Sequence, residues 1–214
     1  MSAARPSPVD RTRPGLRERK KLQTRDAIRR AAHALVEEQG YDATTVEQIA
    51  DRAEVSPSTV FRYFPAKEDI VLGEDPGPAL VARFRARPVD EPWPRALRHV
   101  LREAVGDALR EGPEVTRMRC RLMAEIPAVR SRGTQHATAA GRLLAEALGE
   151  RTGRAPESLE VRVLAMSLVG GLTEGCQYWA RTGFRDDPAD LVDRALAVYD
   201  RDLGGDRDRG PENP

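Results

Sequence analysis

Two helix-start signals follow each other closely in "TTVEQIADRAEVSPSTVFRYF" (residues 44–64), and they constrain the fold more than any other feature of the sequence. Thr44 is followed three residues later by Glu47, the arrangement that predicts a capping box at the start of a helix. Ser56 and Pro57 predict a second start, because serine caps a helix N-terminus and proline fits its first position. Helices this short are not stable alone, so they must pack against another helix.

A short helix pair joined by "AEVS" predicts a helix-turn-helix, in which the second helix enters the DNA major groove. The hydroxyl groups of Ser56, Ser58 and Thr59 stand at the start of that second helix, where the exposed N–H groups and the positive dipole end favour phosphate. These three residues are therefore predicted to contact DNA phosphates or base edges.

The aromatic residues of the second helix divide by direction. Phe64 lies four residues after Val60 and is expected to face the core, whereas its neighbours are expected to face the groove. There Phe61 would supply apolar contact, Arg62 would reach a phosphate or a guanine edge, and Tyr63 would offer its hydroxyl to a phosphate. Lys67 is expected to neutralise another phosphate. A plain helical hairpin with a merely structural aromatic cluster is the alternative.

The basic charge is concentrated at the N-terminus. Residues 1–30 hold ten arginine or lysine residues against three acidic ones, whereas the whole chain has a net charge of only +1. Such asymmetry favours a polyanionic partner, with a solvated tail as the alternative. Six basic residues are expected to form an arm just before the first helix and to follow or enter the minor groove: Arg11, Arg13, Arg17, Arg19, Lys20 and Lys21.

The remaining sequence predicts an all-α protein. Ile28, Ala31, Ala32 and Leu35 recur at helical spacing, and Gly40 closes this first helix. Further helices are predicted over 79–86, 94–111, 114–126, 128–150, 156–181 and 188–203. We expect a disordered arm at 1–15, a DNA-binding domain at 16–73, a helical body at 74–204 and a disordered tail at 205–214.

Residues 24–71 resemble the DNA-binding domain of the TetR family of bacterial transcriptional regulators. The resemblance implies a three-helix DNA-binding head, a helical ligand-binding and dimerisation body, and repression that a small molecule relieves. It assigns DNA contact to these matching positions: Thr45, Ser56, Ser58, Thr59, Phe61, Tyr63 and Lys67. The family commonly has glycine where this chain has Glu54, so Glu54 is expected to adopt a positive φ. It often has tyrosine where Phe61 stands.

Within the body, the resemblance implies a homodimer through the last two helices. Gly171 and Gly175 are expected to let a neighbouring helix approach closely. The body is also similar to that of the mycofactocin-associated regulators, which respond to acyl-coenzyme A esters.

An apolar effector pocket is expected among the middle helices, although its candidate residues could equally be ordinary core. The candidates are Met118, Leu122, Met123, Met166, Leu172, Cys176 and Trp179. Five arginines nearby could hold an anionic headgroup or simply be solvated: Arg117, Arg119, Arg121, Arg130 and Arg132.

Other classes of function find less support in the sequence. Cys120 and Cys176 lack metal-binding spacing and are expected to be separate buried thiols, so neither a metal nor a cofactor is expected. His33, His99 and His136 form no catalytic motif, and Ser167 lacks the setting of a nucleophile, so an enzyme is not expected. Because there is neither a signal peptide nor an apolar run of about 18 residues, we expect a cytoplasmic protein without membrane contact. A helical adaptor that binds nucleic acid nonspecifically through its basic arm remains the alternative.

Overall fold

The computed structural model describes residues 15–202, and side chains as far as residue 199. Arg11 and Arg13 of the predicted arm therefore lie outside the described residues, as does the predicted tail. The described chain forms ten α-helices: α1 (Leu16–Gln39), α2 (Val46–Arg52), α3 (Pro57–Tyr63), α4 (Lys67–Leu72), α5 (Gly77–Arg85), α6 (Trp93–Glu111), α7 (Pro113–Glu125), α8 (Pro127–Thr152), α9 (Leu159–Arg181) and α10 (Pro188–Asp202). The all-α class is confirmed, and within the described residues there is no strand.

The predicted helix ends agree with the structure to within about one helical turn. Proline begins several body helices, as expected from its fit to the first helical turn. The start of α9 is the exception, because Pro156 was expected to begin it. Ser158 instead caps this helix, and its side chain accepts a hydrogen bond from the backbone N–H of Val161 at 3.4 Å. Within residues 15–202, no helix has both the length and the apolar character that crossing a membrane requires.

The chain divides into two compact units, of which the first ends at Val71 and the second begins at Leu72. In the first unit, the expected apolar face of α1 is buried, and Ile28 and Ala32 are fully excluded from solvent. Val60 of α3 and Phe64 just after it join the same core. The inward direction predicted for Phe64 is therefore confirmed.

The start of α1 differs from the expected arm. Gly15 precedes the first helical residue, so Arg17, Arg19, Lys20 and Lys21 lie inside α1 rather than before it. These four side chains are exposed on a regular helix, because no proline or glycine interrupts the sequence after Gly15.

The cap of α2 lies one residue later than predicted. Thr45, not Thr44, accepts a hydrogen bond from the N–H of Gln48, and the Gln48 side chain accepts one from the N–H of Thr45 at 2.9 Å. Thr44 is instead almost fully buried and donates its hydroxyl to the carbonyl of Gly40 at 2.8 Å. Glu47 therefore takes no part in the capping box.

The second unit contains helices α5 to α10 around its own apolar core, which includes Phe84, Val100, Leu148 and Leu168. Helices α8 and α9 approach closely where Gly141 faces Met166, since a Cβ at Gly141 would lie 2.2 Å from the Met166 sulfur. This close approach involves a glycine of α8 and not Gly171 or Gly175, for which it was expected. On α9, Gly171 faces the Tyr199 hydroxyl, whereas a Cβ at Gly175 would meet nothing within 4 Å.

Candidate DNA-reading helix and effector cavity

The start of α3 presents three hydroxyl groups to solvent. The Ser56 Oγ accepts a hydrogen bond from the N–H of Thr59 at 3.2 Å, which caps the helix. The same oxygen lies 2.9 Å from the Ser58 hydroxyl and 3.0 Å from the Thr59 hydroxyl. Ser56 and Ser58 are exposed, so the three predicted contact residues form one cluster at a free helix N-terminus.

The aromatic residues in and just after α3 face different directions, as their positions along the helix require. Phe61 is 51% exposed, a large value for an aromatic side chain, whereas Val60 and Phe64 are buried. Arg62 is exposed and its guanidinium lies over the Tyr63 ring, 5.5 Å from the centroid. An exposed apolar ring beside a cation and a phenol gives this face of α3 the means to contact a base methyl and the phosphate backbone.

Lys67 has a structural role that the sequence did not reveal. Its ammonium group donates to the carbonyls of Tyr41 and Thr44, each at 2.9 Å, and lies 3.9 Å from the centre of the Tyr41 ring. These contacts hold the turn before α2. The two carbonyls and the Tyr41 ring thus surround the ammonium group, and the phosphate contact of Lys67 stays a prediction.

Tyr41 completes this arrangement at the base of α4. Its hydroxyl donates to the Glu68 carboxylate at 2.6 Å, and burial together with this hydrogen bond raises the pKa of Tyr41. The ring is buried and therefore fixed against Lys67. The turn between α1 and α2 is thus held by a tyrosine, a lysine and two carbonyl groups.

The turn between α2 and α3 has the backbone geometry expected from its sequence. Glu54 has a φ of 55°, which lies in the left-handed region where a side chain is unfavourable. The residue is exposed, and its N–H donates to the Asp51 carbonyl at 3.1 Å. The expected departure from glycine therefore puts a strained residue at the centre of the helix pair.

The other predicted DNA contacts are exposed in the same unit. Thr45 caps α2 and keeps its hydroxyl proton free for a further acceptor, because its oxygen is the group that accepts from Gln48. Lys20 and Lys21 extend from the first turns of α1.

A cavity of about 320 Å³ lies inside the second unit, between α6, α7, α9 and α10 and beside the start of α5. Its lining is almost entirely apolar, and none of the described residues that line it carries a charge. Thr116 brings a hydroxyl, but that group already donates within its own helix turn, to the carbonyl of Gly112 at 3.0 Å. The lining residues are Pro76, Leu80, Leu101, Ala104, Val105, Ala108, Leu109, Thr116, Cys120, Leu172, Gly175, Cys176, Trp179, Pro188, Leu191, Val192 and Ala195.

Three of the seven candidate effector residues line this cavity: Leu172, Cys176 and Trp179. The other four lie elsewhere. Met118 and Leu122 are buried in the core, Met123 contacts Gly133, and Met166 contacts Gly141. The wall that α6 provides was not predicted, although the small residues Ala104 and Ala108, spaced one turn apart on an amphipathic helix, were a usable signal.

The five arginines considered for an anionic headgroup have other partners. Arg117 pairs with Glu114 at 2.7 Å, Arg130 donates to the Met123 carbonyl at 3.1 Å, and Arg132 donates to Gln135 at 2.6 Å. Arg119 and Arg121 also make contacts within the chain. None of the five is among the residues that line the cavity.

The cysteines contradict the expectation of two separate thiols. A disulfide joins Cys120 of α7 to Cys176 of α9, with their Cα atoms 5.4 Å apart. The prediction was wrong because the residues are distant in sequence, and only the packing of α7 against α9 brings them together. Trp179 and Leu191 are buried beside the bond.

An apolar stripe is exposed on α9. Leu159 is 73% exposed, Val163 is 55% exposed and Met166 is 41% exposed, and these positions share one helix face. Gly170 continues the face, and a Cβ added there would meet nothing within 4 Å. Val198 adds an exposed apolar side chain on α10. Contiguous apolar surface of this kind is typical of a protein interface.

Family models match both units. Residues 28–73 match the model described as "Bacterial regulatory proteins, tetR family". Residues 91–203, more than half of the chain, match the "MftR C-terminal domain". The expected similarity of both the head and the body is confirmed by these two matches.

Among curated proteins, the HTH-type transcriptional regulator TcmR of Streptomyces glaucescens is 42% identical over 95 residues, which cover 44% of this chain and 42% of TcmR. The uncharacterized HTH-type transcriptional regulator YdeS of Bacillus subtilis is 41% identical over 49 residues, which cover 23% of this chain and 25% of YdeS. The chain therefore matches less than half the length of each of these relatives.

Among solved structures, the chain is similar to FadR of Thermus thermophilus, a repressor crystallised in complex with lauroyl-CoA. The identity is 26% with a TM-score of 0.57, over 89% of this chain and 98% of FadR. NalD of Pseudomonas aeruginosa, the secondary repressor of an efflux pump, shares the fold at 22% identity with a TM-score of 0.55, over 84% of this chain and 95% of NalD.

Proposed function

The chain belongs to the tetR family of bacterial regulatory proteins, and from that premise we propose that this transcriptional regulator is a repressor that an apolar effector releases from its operator. The observation that carries the proposal is the joint presence of a solvent-exposed helix α3 in the first unit and an apolar cavity in the second. One unit can read DNA, and the other can bind a small molecule.

DNA reading rests on α3. Its start offers the hydroxyls of Ser56, Ser58 and Thr59, with Phe61, Arg62 and Tyr63 along the exposed side. The phosphate contacts come from Thr45, Tyr63, Lys67 and the two lysines at the start of α1, and they fix the position of α3 on the duplex. Base discrimination comes from Thr59, Arg62 and Phe61, which are the residues able to reach base edges in the major groove.

Operator binding requires two copies of α3, and the exposed stripe on α9 supplies a surface for a twofold contact. Leu159, Val163 and Met166 are joined by Val198 of α10, so the last two helices provide the dimer interface. A symmetric dimer reads a palindrome whose half-sites lie about one DNA turn, or a multiple of it, apart.

The cavity restricts the chemistry of the effector. Because no lining residue carries a charge, the part of the ligand that enters the cavity is uncharged and mainly hydrocarbon. The lauroyl-CoA complex of the Thermus repressor supports a fatty acyl-CoA as one candidate, with its acyl chain in the cavity. A wholly uncharged apolar molecule is the other candidate.

Ligand binding can be transmitted through α5. Pro76 and Leu80 line the cavity and lie within a few residues of the boundary at Leu72. A ligand that displaces the start of α5 changes the spacing at which two recognition helices can bind DNA. A coupling free energy of ~1 to 3 kcal/mol is enough for such control.

A binding experiment tests this proposal against the adaptor alternative. The intact protein is titrated with a duplex from its own upstream intergenic region and with a scrambled duplex of equal length, at two salt concentrations. We expect the native sequence to bind at least about a thousandfold more tightly, with both affinities falling as salt rises. Equal affinity for the two duplexes would favour a nonspecific basic adaptor and contradict a repressor.

A further inference from the structure

The disulfide between Cys120 and Cys176 forms part of the cavity wall. Both cysteines line the cavity, Cys120 from α7 and Cys176 from α9. Cys120 is only 7% exposed, and the surrounding side chains include Trp179 and Leu191. The bond therefore lies where the effector would bind, rather than on the outer surface of the unit.

These two residues are the only cysteines of the whole chain. Within one chain, each of these cysteines can form a disulfide only with the other, so the stable end states of the pair are the disulfide and the dithiol. The resting form depends on the compartment. A protein that binds bacterial DNA, as the proposed function requires, works where cellular reductants keep most thiols reduced, and disulfides in such compartments are usually transient or redox-sensing.

We propose that Cys120 and Cys176 are a reversible redox site in the wall of the effector cavity, and that reduction of their disulfide raises the affinity of the cavity for its ligand. This inference rests on the proposed function for the cellular compartment and for the identity of the cavity. The second unit would then respond to peroxide or a low-molecular-weight thiol as well as to the effector.

Oxidation and reduction of the cysteine pair each need only a small co-reactant, which is a peroxide in the first case and a thiol in the second. In oxidation, one cysteine thiolate attacks hydrogen peroxide, the O–O bond breaks, and a sulfenic acid and hydroxide form. The second cysteine sulfur then attacks the sulfenic sulfur, and the S–S bond forms as water leaves. Two thiols are oxidised and one peroxide is reduced to two waters. In reduction, a low-molecular-weight thiolate opens the bond through a mixed disulfide, and a second thiol completes the exchange.

Reduction changes the geometry of the wall. Bonded sulfur atoms lie about 2 Å apart, whereas non-bonded heavy atoms keep a separation of roughly 3.5 to 4 Å. When the bond is opened, the two sulfur atoms must therefore separate by roughly 1.5 Å, through rotation of the cysteine side chains, movement of α7 against α9, or both. Because the disulfide holds these helices together beside the cavity, the reduced form is expected to admit a ligand more readily than the oxidised form.

The test compares one protein in two oxidation states. The intact chain is prepared with dithiothreitol or with hydrogen peroxide and then separated from the reagent. Intact mass under denaturing conditions identifies the disulfide by the loss of two hydrogen atoms. The uncharged fluorescent probe N-phenyl-1-naphthylamine is titrated into each form, and we expect the reduced form to bind it at least about tenfold more tightly.

Cys120→Ala and Cys176→Ala provide matched controls, because neither variant can form the bond and both keep every methionine. Each is expected to bind the probe with equal affinity before and after peroxide treatment, and circular dichroism checks that each remains helical. Because each single variant keeps one cysteine that peroxide can still oxidise, the double variant Cys120→Ala/Cys176→Ala is measured as well, and a persistent response to peroxide in the double variant would place the effect outside the pair.

Three results would overturn the redox site: no intramolecular disulfide after oxidation, equal probe affinity in the two states, or tighter binding by the oxidised form. Duplex binding measured on the same samples keeps this result separate from the proposed function. If neither form prefers the native upstream duplex to the scrambled one, the repressor proposal fails whatever the probe shows. If both forms prefer it equally and bind the probe equally, only the redox site fails.

Discussion

Gly175→Leu should close the effector cavity without unfolding the protein. Gly175 lines the cavity from α9, and a Cβ added there would meet no heavy atom within 4 Å. A leucine side chain can therefore extend into open space rather than into neighbouring atoms. Leucine is also a better helix former than glycine, so α9 should gain stability by up to about 1 kcal/mol.

The loss of ligand binding follows from the volume. At roughly 30 Å³ for a methyl-sized group, comparable to a water molecule, the four added carbons fill about 120 Å³ of a cavity of about 320 Å³. A ligand that filled the cavity would lose the burial of about four carbon groups, at about 0.8 kcal/mol each. The total of about 3 kcal/mol corresponds to a Kd that is on the order of a hundredfold weaker.

Fluorescence titration with N-phenyl-1-naphthylamine measures this change, and thermal unfolding followed by circular dichroism measures stability. Gly106→Leu is the matched control, because Gly106 lies within α6, does not line the cavity, and an added Cβ there would meet only the flexible end of the Arg110 side chain, at 3.1 Å. Its probe affinity should equal that of the parent protein. Unchanged probe affinity in a folded Gly175→Leu protein would show that the probe binds elsewhere and that this cavity is not the effector site.

Four further changes test separate contacts. Glu54→Gly should raise the free energy of unfolding of the first unit by about 1 kcal/mol, because glycine adopts the left-handed conformation without strain. Chemical denaturation measures this change, and Glu54→Gln is the control that keeps the strain. No gain in stability would show that the turn is unstrained. Lys67→Met should lower both the unfolding free energy, by roughly 1 to 3 kcal/mol, and the affinity for native and scrambled duplexes alike; full thermal stability in this variant would disprove the structural role. Thr59→Ala should reduce the preference for the native duplex in competition binding, and a preserved preference would remove Thr59 from base reading. Val163→Arg should yield monomers in light scattering, since it places a charge in the exposed stripe of α9, whereas an intact dimer would exclude this face.

Local signals in the sequence were sufficient to predict the helices and the buried face of α1 in the first unit. Proline and glycine mark the ends of the body helices, and the spacing of Ile28, Ala31, Ala32 and Leu35 identifies the buried side of α1. The positive φ of Glu54 could be predicted only from the resemblance to the TetR family, which commonly has glycine at this position.

The cap of α2 shows where local signals become ambiguous. Two adjacent threonines, Thr44 and Thr45, both suit an N-cap, and each has an acidic or amide residue three positions later. Tertiary packing decided between them, because Thr44 is buried and bonds to Gly40, which leaves Thr45 to cap the helix. Lys67 is a similar case, since its carbonyl partners at residues 41 and 44 are distant in sequence.

The full set of residues that line the cavity, and the disulfide, could not be predicted because both depend on how distant helices meet. An apolar residue such as Met118 or Leu172 has the same pattern in the sequence whether it fills a core or borders an empty space. Only the packing of the body separates the two, with Met118 buried and Leu172 at the cavity. Cys120 and Cys176 likewise carry no local sign that α7 and α9 bring them into contact.

Footprinting on the native upstream intergenic region tests the central claim most directly, because it reports sequence selection and symmetry at the same time. Hydroxyl-radical cleavage of the duplex should be protected at two short half-sites that are related by a twofold axis and centred about one helical turn, or a multiple of it, apart. Addition of a ligand that displaces the fluorescent probe from the cavity should remove both protected sites together. Uniform protection along the duplex, or a footprint that no cavity ligand alters, would contradict a ligand-controlled dimeric repressor.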